Sequence, residues 1–287
     1  MDPTTSWEVP GSGGEPVLGV AHAPADVGGG PPAATVVVAH GFKGFMDYGM
    51  FPVIARVLAA AGLHVHRFNF SHSGVTRDPS TFARPDLLER DTWNRQVEDL
   101  AAIHAALDEG RLPGGDRPRI WLGHSRGGTA VILAAGRGEL GSPAGVATAA
   151  APADAVRLSD EDRARLRREG FLPSPSARTG QDLRVGRAWL EEVEADPHGH
   201  DPCVMAGRIR CPMLVVHGAA DETVPVEDAE RLARAAGGPV EVVIVPKGDH
   251  VFGTPHPAEP EAPPSPALEV LLGAVIRFAR DVAGAGD

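Results

Sequence analysis

The sequence predicts an α/β fold, in which a mostly parallel, twisted sheet is covered on both faces by helices. Short apolar runs rich in β-branched residues alternate along the chain with segments whose apolar residues recur at helical spacing. The strand-like runs are apolar throughout rather than at every second position, which is typical of strands buried under helices on both faces. No repeat of 20–50 residues is visible, which argues against solenoids and propellers. We expect one domain over residues 1–287.

The elements follow one another in a regular order. Strands are predicted at 35–40, 63–70, 119–123, 145–150, 213–218 and 240–246, and helices at 51–62, 91–110, 128–136, 226–237 and 267–283. The helix over 91–110 has the clearest pattern, because Trp93, Val97 and Leu100 share one face with Ile103 and Leu107. Sheets of this kind carry their active sites at the carboxyl ends of the strands.

Residues 151–212 interrupt this alternation. They contain two strongly charged helical patterns, over 158–170 and 179–196, and Thr179 is the predicted N-cap of the second. We expect a small helical lid inserted between two strands of the sheet. The alternative is a pair of ordinary surface helices.

Composition limits the kind of protein. The 27 Lys and Arg against 38 Asp and Glu give a net charge of −11, and only two lysines occur, which argues against a nucleic-acid-binding surface. No apolar run approaches the ~18 residues of a membrane-spanning helix, the start of the chain lacks the pattern of a secretory signal, and two cysteines cannot form a disulfide framework. We expect a soluble, cytoplasmic enzyme or small-molecule binder without membrane contact; its oligomeric state is not fixed.

A nucleophile motif follows the predicted strand 119–123. Gly123, Ser125 and Gly127 fit the pattern G-x-S-x-G, with a strand before it and a helix directly after it. A serine on so sharp a turn needs neighbours without Cβ atoms two residues to either side. The helix N-terminus adds a positive dipole and free N–H groups. This context favours Ser125 as a nucleophile.

A serine hydroxyl needs a base to take its proton and a carboxylate to orient that base. In this architecture the order along the chain is Ser, acid, His. Asp221 follows the strand 213–218, and His250 follows the strand 240–246, so both lie at the carboxyl ends of their strands in the required order. Two other acids compete with Asp221: Asp154, after the strand 145–150, and Asp249, whose side chain should point away from its neighbour His250.

Four segments together, HGF (40–42), GHSRGG (123–128), HGAADETVP (217–225) and GDHVF (248–252), resemble the α/β-hydrolase family of serine hydrolases. The chain is most similar to its small bacterial esterases of the feruloyl-esterase and dienelactone-hydrolase types, over about residues 17–150 and 213–283. The resemblance implies an α/β-hydrolase fold with Ser125 as nucleophile, His250 as base and Asp221 as acid. It also implies an oxyanion hole formed by the backbone N–H groups of Phe42 and Arg126.

Two departures from relatives of this fold narrow the chemistry. Dienelactone hydrolases use a cysteine nucleophile, whereas Ser125 stands here, so their substrate class is not implied. Epoxide hydrolases and haloalkane dehalogenases carry aspartate at that position, and epoxide hydrolases also need lid tyrosines. The single tyrosine, Tyr48, lies outside the predicted lid.

We therefore expect a serine esterase that acts on a small-molecule ester through an acyl-serine intermediate. The alternatives are an amide or short-peptide hydrolase of the same fold, or a non-catalytic binding module. No cofactor is implied. His198 and His200 form a weak metal-binding pattern that favours a solvated loop, and no metal site is expected.

Overall fold

The centre of the protein is an eight-stranded sheet, seen in a computed structural model that describes residues 4–27, 33–259 and 261–284. Its strands are β1 (Thr4–Pro10), β2 (Pro16–His22), β3 (Thr35–Ala39), β4 (His64–Asn69), β5 (Arg119–His124), β6 (Gly145–Ala149), β9 (Met213–Gly218) and β10 (Val240–Val245). The spatial order is β1-β2-β4-β3-β5-β6-β9-β10. From β4 to β10 all neighbours are parallel, whereas β1 and β2 join antiparallel at one edge.

Helices cover both faces of this sheet. They are α1 (Phe51–Ala60), α2 (Pro85–Glu89), α3 (Trp93–Asp108), α4 (Arg126–Arg137), α5 (Asp160–Glu169), α6 (Ala188–Ala195), α7 (Pro202–Ala206), α8 (Glu227–Ala235) and α9 (Pro266–Gly284). On β5, Trp121 faces the cluster built with α3 and α4, while Ile120 faces the cluster built with α1 and α9. The predicted fold class is confirmed, and each predicted sheet strand is present within two residues of its expected ends.

The antiparallel edge was not predicted. Trp7 and Val9 of β1 are buried while Glu8 between them is exposed, which is the alternation of a strand covered on one face only. β1 is only seven residues long and meets the Gly- and Pro-rich turn at 10–16. The glycines and prolines favour a turn there, and the short alternation of buried and exposed residues was not sufficient to predict a strand.

The prediction of one helix over 179–196 is wrong. Residues 184–186 instead form the strand β8, which pairs with β7 (Phe171–Pro173), and α6 begins only at Ala188. Leu183 is buried with Phe45, Val75, Phe82 and Leu88, so packing against the domain overrides the helical spacing of this segment. Thr179 is therefore not a helix N-cap. The other predicted helix is present as α5, and the Ser159 hydroxyl accepts a hydrogen bond from the Asp162 N–H at its start.

The lid over 151–212 remains a prediction, which hydrogen exchange can test. Over 158–196 the helices α5 and α6 each bury a single leucine, Leu166 and Leu190, so local opening should cost little. Helix α7, by contrast, packs on α4 and α8. We expect amides over 158–196 to exchange at least tenfold faster than those of β5, β9 and α7. Equal protection of all four segments would contradict a lid.

Among the helices of the described ranges, none combines the length and the apolar character that crossing a membrane requires.

Candidate active site

The turn between β5 and α4 holds Ser125 in a strained conformation. Its φ of 52° and ψ of −128° are rarely adopted by a residue with a side chain. A Cβ atom on Gly123 would lie 2.3 Å from the Gly127 carbonyl oxygen, and one on Gly127 would lie 2.4 Å from the His40 carbonyl oxygen. Both glycines are therefore required for the backbones to approach this closely, as the motif predicts.

Three of the predicted side chains come together at the carboxyl end of the sheet. His250 Nε2 lies 3.0 Å from Ser125 Oγ, and His250 Nδ1 lies 2.9 Å from Asp221 Oδ2. Strands β9 and β10 are parallel neighbours, so the loops that follow them place Asp221 beside His250. This hydrogen-bonded series leads from a hydroxyl through an imidazole to a carboxylate.

Asp221 is built to stay ionised. Its side chain is 0% exposed, and its Oδ1 accepts hydrogen bonds from the N–H groups of Thr223 at 2.8 Å and Val224 at 2.9 Å. Burial alone would raise the pKa of Asp221, but the hydrogen bonds from His217, His250 and Val224 outweigh it and hold that pKa well below its usual range. A charged carboxylate beside His250 stabilises the imidazolium that forms when the histidine takes a proton.

Two further histidines, whose positions the sequence did not predict, support this series. His217 Nε2 lies 3.4 Å from Asp221 Oδ2 and 2.9 Å from the Val224 carbonyl oxygen. His124 Nε2 lies 2.8 Å from the main-chain oxygen of His250. Burial, reinforced by the nearby His250, lowers the pKa of His124 to about 3, so this ring is neutral and its Nε2–H donates to that oxygen. Both residues lie inside motif segments, 123–128 and 217–225, which was the available signal.

The two competing carboxylates have other partners. Asp154 is held by Arg231, at 2.6 and 2.7 Å, and by Arg157 at 3.1 Å. Asp249 Oδ1 accepts hydrogen bonds from the N–H groups of Val251 and Gly253 within its own loop. Neither carboxylate is placed to hold the imidazole of His250.

The predicted oxyanion-hole residues flank Ser125. Within the described residues, the main-chain N–H groups of Phe42 and Arg126 have no protein acceptor, and both residues line the same cavity as the serine. A Cβ atom on Gly41 would lie 3.0 Å from Ser125 Cβ, so this turn passes directly over the serine. Burial lowers the pKa of His40 to about 4, and its neutral ring joins the Gly41 carbonyl oxygen to the Phe70 N–H, which fixes the turn.

Two cavities meet at Ser125 and Phe42. The larger, of about 470 Å³, extends under the segment 151–189, and its walls include Trp93, Arg126, Leu158, Leu172, Val185 and Trp189. The smaller, of about 160 Å³, is lined by His250 and by Gly41, Tyr48, Phe51, His124 and Val251. Trp93, predicted on the apolar face of its helix, is buried in the core cluster with α3 and α4 and also forms part of the wall of the larger cavity.

The histidines at 198 and 200 do not form a metal centre with their neighbours. His200 is buried and bonds to the Asp196 carbonyl oxygen and to Asn94, so the expected solvated loop is wrong for this residue. Among the described residues, no three His, Cys, Asp or Glu side chains are grouped so that they could hold a metal ion.

A strained serine at a strand–helix turn, in a sheet of this topology, is the arrangement of the α/β serine hydrolases. The model of the alpha/beta hydrolase family matches residues 36–262. The chain therefore belongs to that family.

Known proteins are similar to the chain at low identity. An uncharacterized protein, YfhR of Salmonella typhimurium, is 26% identical over 220 residues, which cover 76% of this chain and 64% of that protein. The chain thus spans less than two thirds of that relative's length. The esterase domain of a Rhodothermus marinus protein is 24% identical, with a TM-score of 0.63 and 97% and 98% of the two chains covered. Est1E of Butyrivibrio proteoclasticus, solved with ferulic acid, is 18% identical, with a TM-score of 0.70 and 96% and 99% covered. At these identities the solved structures establish the fold.

Proposed function

We propose that the protein hydrolyses carboxylic esters through an acyl-serine intermediate. The observation that carries this proposal is the hydrogen-bonded series from Ser125 through His250 to Asp221, with distances of 3.0 and 2.9 Å. An ester, rather than another acyl substrate, is supported by the resemblance of the motifs to small esterases and by esterases among the similar structures.

In the first half-reaction, Ser125 Oγ attacks the carbonyl carbon while His250 Nε2 takes its proton. Asp221 holds the Nδ1–H of the same ring, which leaves Nε2 free to accept. The negative charge that develops on the carbonyl oxygen is stabilised by the N–H groups of Phe42 and Arg126. His250 then protonates the leaving alcohol, and a water molecule repeats the sequence to release the acid.

The two cavities indicate how the two sides of the ester are placed in the site. The leaving oxygen must reach His250, and His250 lines the smaller cavity but not the larger one. We infer that the alcohol occupies the smaller cavity, of about 160 Å³, and the acyl group the larger, of about 470 Å³. The enzyme should therefore favour esters that combine a long acyl group with a short alcohol.

Two isomeric esters test this function. Methyl octanoate and heptyl acetate have the same atoms, so their difference in kcat/KM reports which side of the ester is accommodated. We expect methyl octanoate to be cleaved at least tenfold more efficiently, and N-methyloctanamide to be cleaved far more slowly than either ester. Titration of the released acid measures the two ester rates, and chromatography of the octanoate formed measures the amide rate.

The other outcomes identify the alternatives. Preference for heptyl acetate would reverse the cavity assignment but leave the esterase intact. Faster cleavage of the amide would indicate a peptidase or amidase. If none of the three substrates turns over and a fluorophosphonate probe leaves the protein unlabelled, the fold serves as a binding module.

A further inference from the structure

The side chain of Arg126 lies in the wall of the larger cavity, surrounded by aromatic rings. The residue is only 9% exposed. Its guanidinium carbon is 4.3 Å from the centre of the Trp93 ring, 5.7 Å from that of Trp189 and 5.8 Å from that of Phe42. Cations at these distances from aromatic faces are attracted to them, which accounts for the position of the guanidinium. This attraction does not supply hydrogen-bond acceptors for the N–H groups of the guanidinium.

Two of the three nitrogens of this guanidinium, Nε and Nη2, are buried without a hydrogen-bond acceptor among the described residues. Arg126 Nη2 lies 3.2 Å from Asp91 Oδ2, but among the described residues neither Nη2 nor Nε makes a hydrogen bond of acceptable geometry. Asp91 Oδ2 instead accepts a hydrogen bond of 2.8 Å from Gln96. Asp91 thus compensates the charge of Arg126 without accepting a hydrogen bond from it. The buried Nε and Nη2 of Arg126 stay without an acceptor, which costs free energy unless an acceptor reaches them.

A second arginine of the same cavity provides the contrast. Arg157 also lines the larger cavity, but its guanidinium is bonded to Asp228 and to Asp154. Arg157 is exposed, and its Nη2 donates to both carboxylates, so its charge is paired at the surface of the protein. Of the two arginines in this cavity, Arg126 is therefore the buried one, and it keeps donors that no acceptor among the described residues matches.

We propose that Arg126 recognises an oxygen acceptor, a carboxylate or a carbonyl, on the acyl group of the substrate, at a distance from the ester that is cleaved. This inference rests on the proposed esterase function and on the assignment of the acyl group to the larger cavity. The planar fork of a guanidinium suits carboxylate and carbonyl oxygens. The apolar and aromatic walls take up the carbon chain between the ester and this acceptor.

Asp91 sets how strongly charge contributes to this recognition. With its carboxylate ionised, the pair is close to neutral, so both a carbonyl and a carboxylate should bind. Burial raises the pKa of Asp91 to about 6, against the opposing effect of Arg126. Removal of the charge at Asp91 should leave the Arg126 cation uncompensated and favour the carboxylate over the carbonyl.

Three matched methyl esters test the proposal. Monomethyl glutarate, methyl 5-oxohexanoate and methyl hexanoate carry a carboxylate, a ketone or a methylene group at the fifth carbon of the acyl chain. The same comparison is made for chains one to three carbons longer, to locate the acceptor. At the best length, we expect the acceptor esters to exceed the hydrocarbon ester at least tenfold in kcat/KM.

Variants assign this preference to the guanidinium. In Arg126→Met the acceptor preference should fall below twofold, because the guanidinium is removed. The ratio of the rates is the readout rather than the absolute rates, and the backbone N–H of residue 126 is retained. In Asp91→Asn the ratio of carboxylate to ketone ester should rise at least threefold, which a merely structural Arg126–Asp91 pair would not produce. Arg178→Met is the matched control, because Arg178 also stacks on two aromatic rings, Phe45 and Phe82, but lies outside this cavity. In this variant the ratios of kcat/KM among the three esters should equal those of the wild type.

Failure of the inference and failure of the function give different results. If methyl hexanoate is cleaved but the acceptor esters are no better at any length, recognition by Arg126 is wrong and the esterase stands. An acceptor preference that survives in Arg126→Met also overturns it. If none of the esters is cleaved, the proposed function itself fails.

Discussion

Ser125→Ala is expected to abolish ester hydrolysis, with a loss of kcat of about 10⁴–10⁶-fold, the range found when members of a Ser-His-Asp set are removed. The reason is that no other hydroxyl is hydrogen-bonded to His250 within the described residues, so the acyl-enzyme has no other place to form. Hydrolysis of methyl octanoate and labelling by a fluorophosphonate measure the two consequences independently. Both should disappear together.

The fold should survive this substitution, because alanine adds no atoms at the crowded turn. Thermal unfolding of Ser125→Ala and of wild type should therefore be similar. Ser142→Ala, at an exposed serine beyond α4, is the matched control and should keep full activity and labelling. Retention of more than a tenth of the wild-type rate in Ser125→Ala would mean that another residue is the nucleophile.

The sequence was sufficient to predict the sheet from β3 to β10 and the three residues that meet at its edge, because both follow from local rules. Continuous β-branched runs identify the strands, although the edge strand β10 leaves Val240, Val242 and Ile244 exposed rather than buried. The glycines around Ser125 are required because a Cβ atom at either would lie only 2.3 or 2.4 Å from a carbonyl oxygen. Parallel neighbours end at the same edge of a sheet, so residues such as Asp221 and His250, which follow β9 and β10, come close together whatever their separation along the chain.

The parts that could not be predicted depend on contacts between distant segments. Leu183 fits a helical pattern, but its burial against Phe82 and Leu88 draws residues 184–186 into the β7–β8 hairpin. The same limit applies to the cavity. Helical spacing marks Trp93 as an inward-facing residue, but only the folded chain shows that it meets both the core and, on its other side, Arg126 and the cavity.

Arg126 illustrates the difference between a backbone role and a side-chain role. Its position after the nucleophile implied an N–H group directed at the oxyanion, and this required no knowledge of the side chain. The surroundings of the guanidinium, Asp91 on one side and three aromatic rings around it, are supplied by the loop before α3, the start of α3, the turn after β3 and helix α6. The proposed recognition by this side chain therefore depends on surroundings that the G-x-S-x-G motif does not specify.

Asp221→Asn is expected to lower kcat by about 10⁴-fold, the loss found when the aspartate of a Ser-His-Asp set becomes asparagine. The carboxylate accepts the His250 Nδ1–H at 2.9 Å, which keeps the proton off Nε2, the atom 3.0 Å from Ser125 Oγ. If the amide that replaces this carboxylate donates to Nδ1, the ring proton moves to Nε2, so the ring can no longer accept the proton of the serine. Hydrolysis of methyl octanoate across a range of pH measures the loss.

The competing carboxylates provide the controls. Asp154→Asn removes the charge that pairs with Arg231 and Arg157, whereas Asp249→Asn keeps an oxygen that can accept from the Val251 and Gly253 N–H groups. Neither change touches the imidazole of His250. Each variant should keep its kcat within about tenfold of the wild type. Since Asp221 also anchors its own loop through the N–H groups of Thr223 and Val224, its asparagine variant must be shown to unfold at a temperature close to that of the wild type. A folded Asp221→Asn that stays active, beside an inactive Asp154→Asn, would move the acid to the loop after β6 and leave Ser125 and His250 as the remaining members of the site.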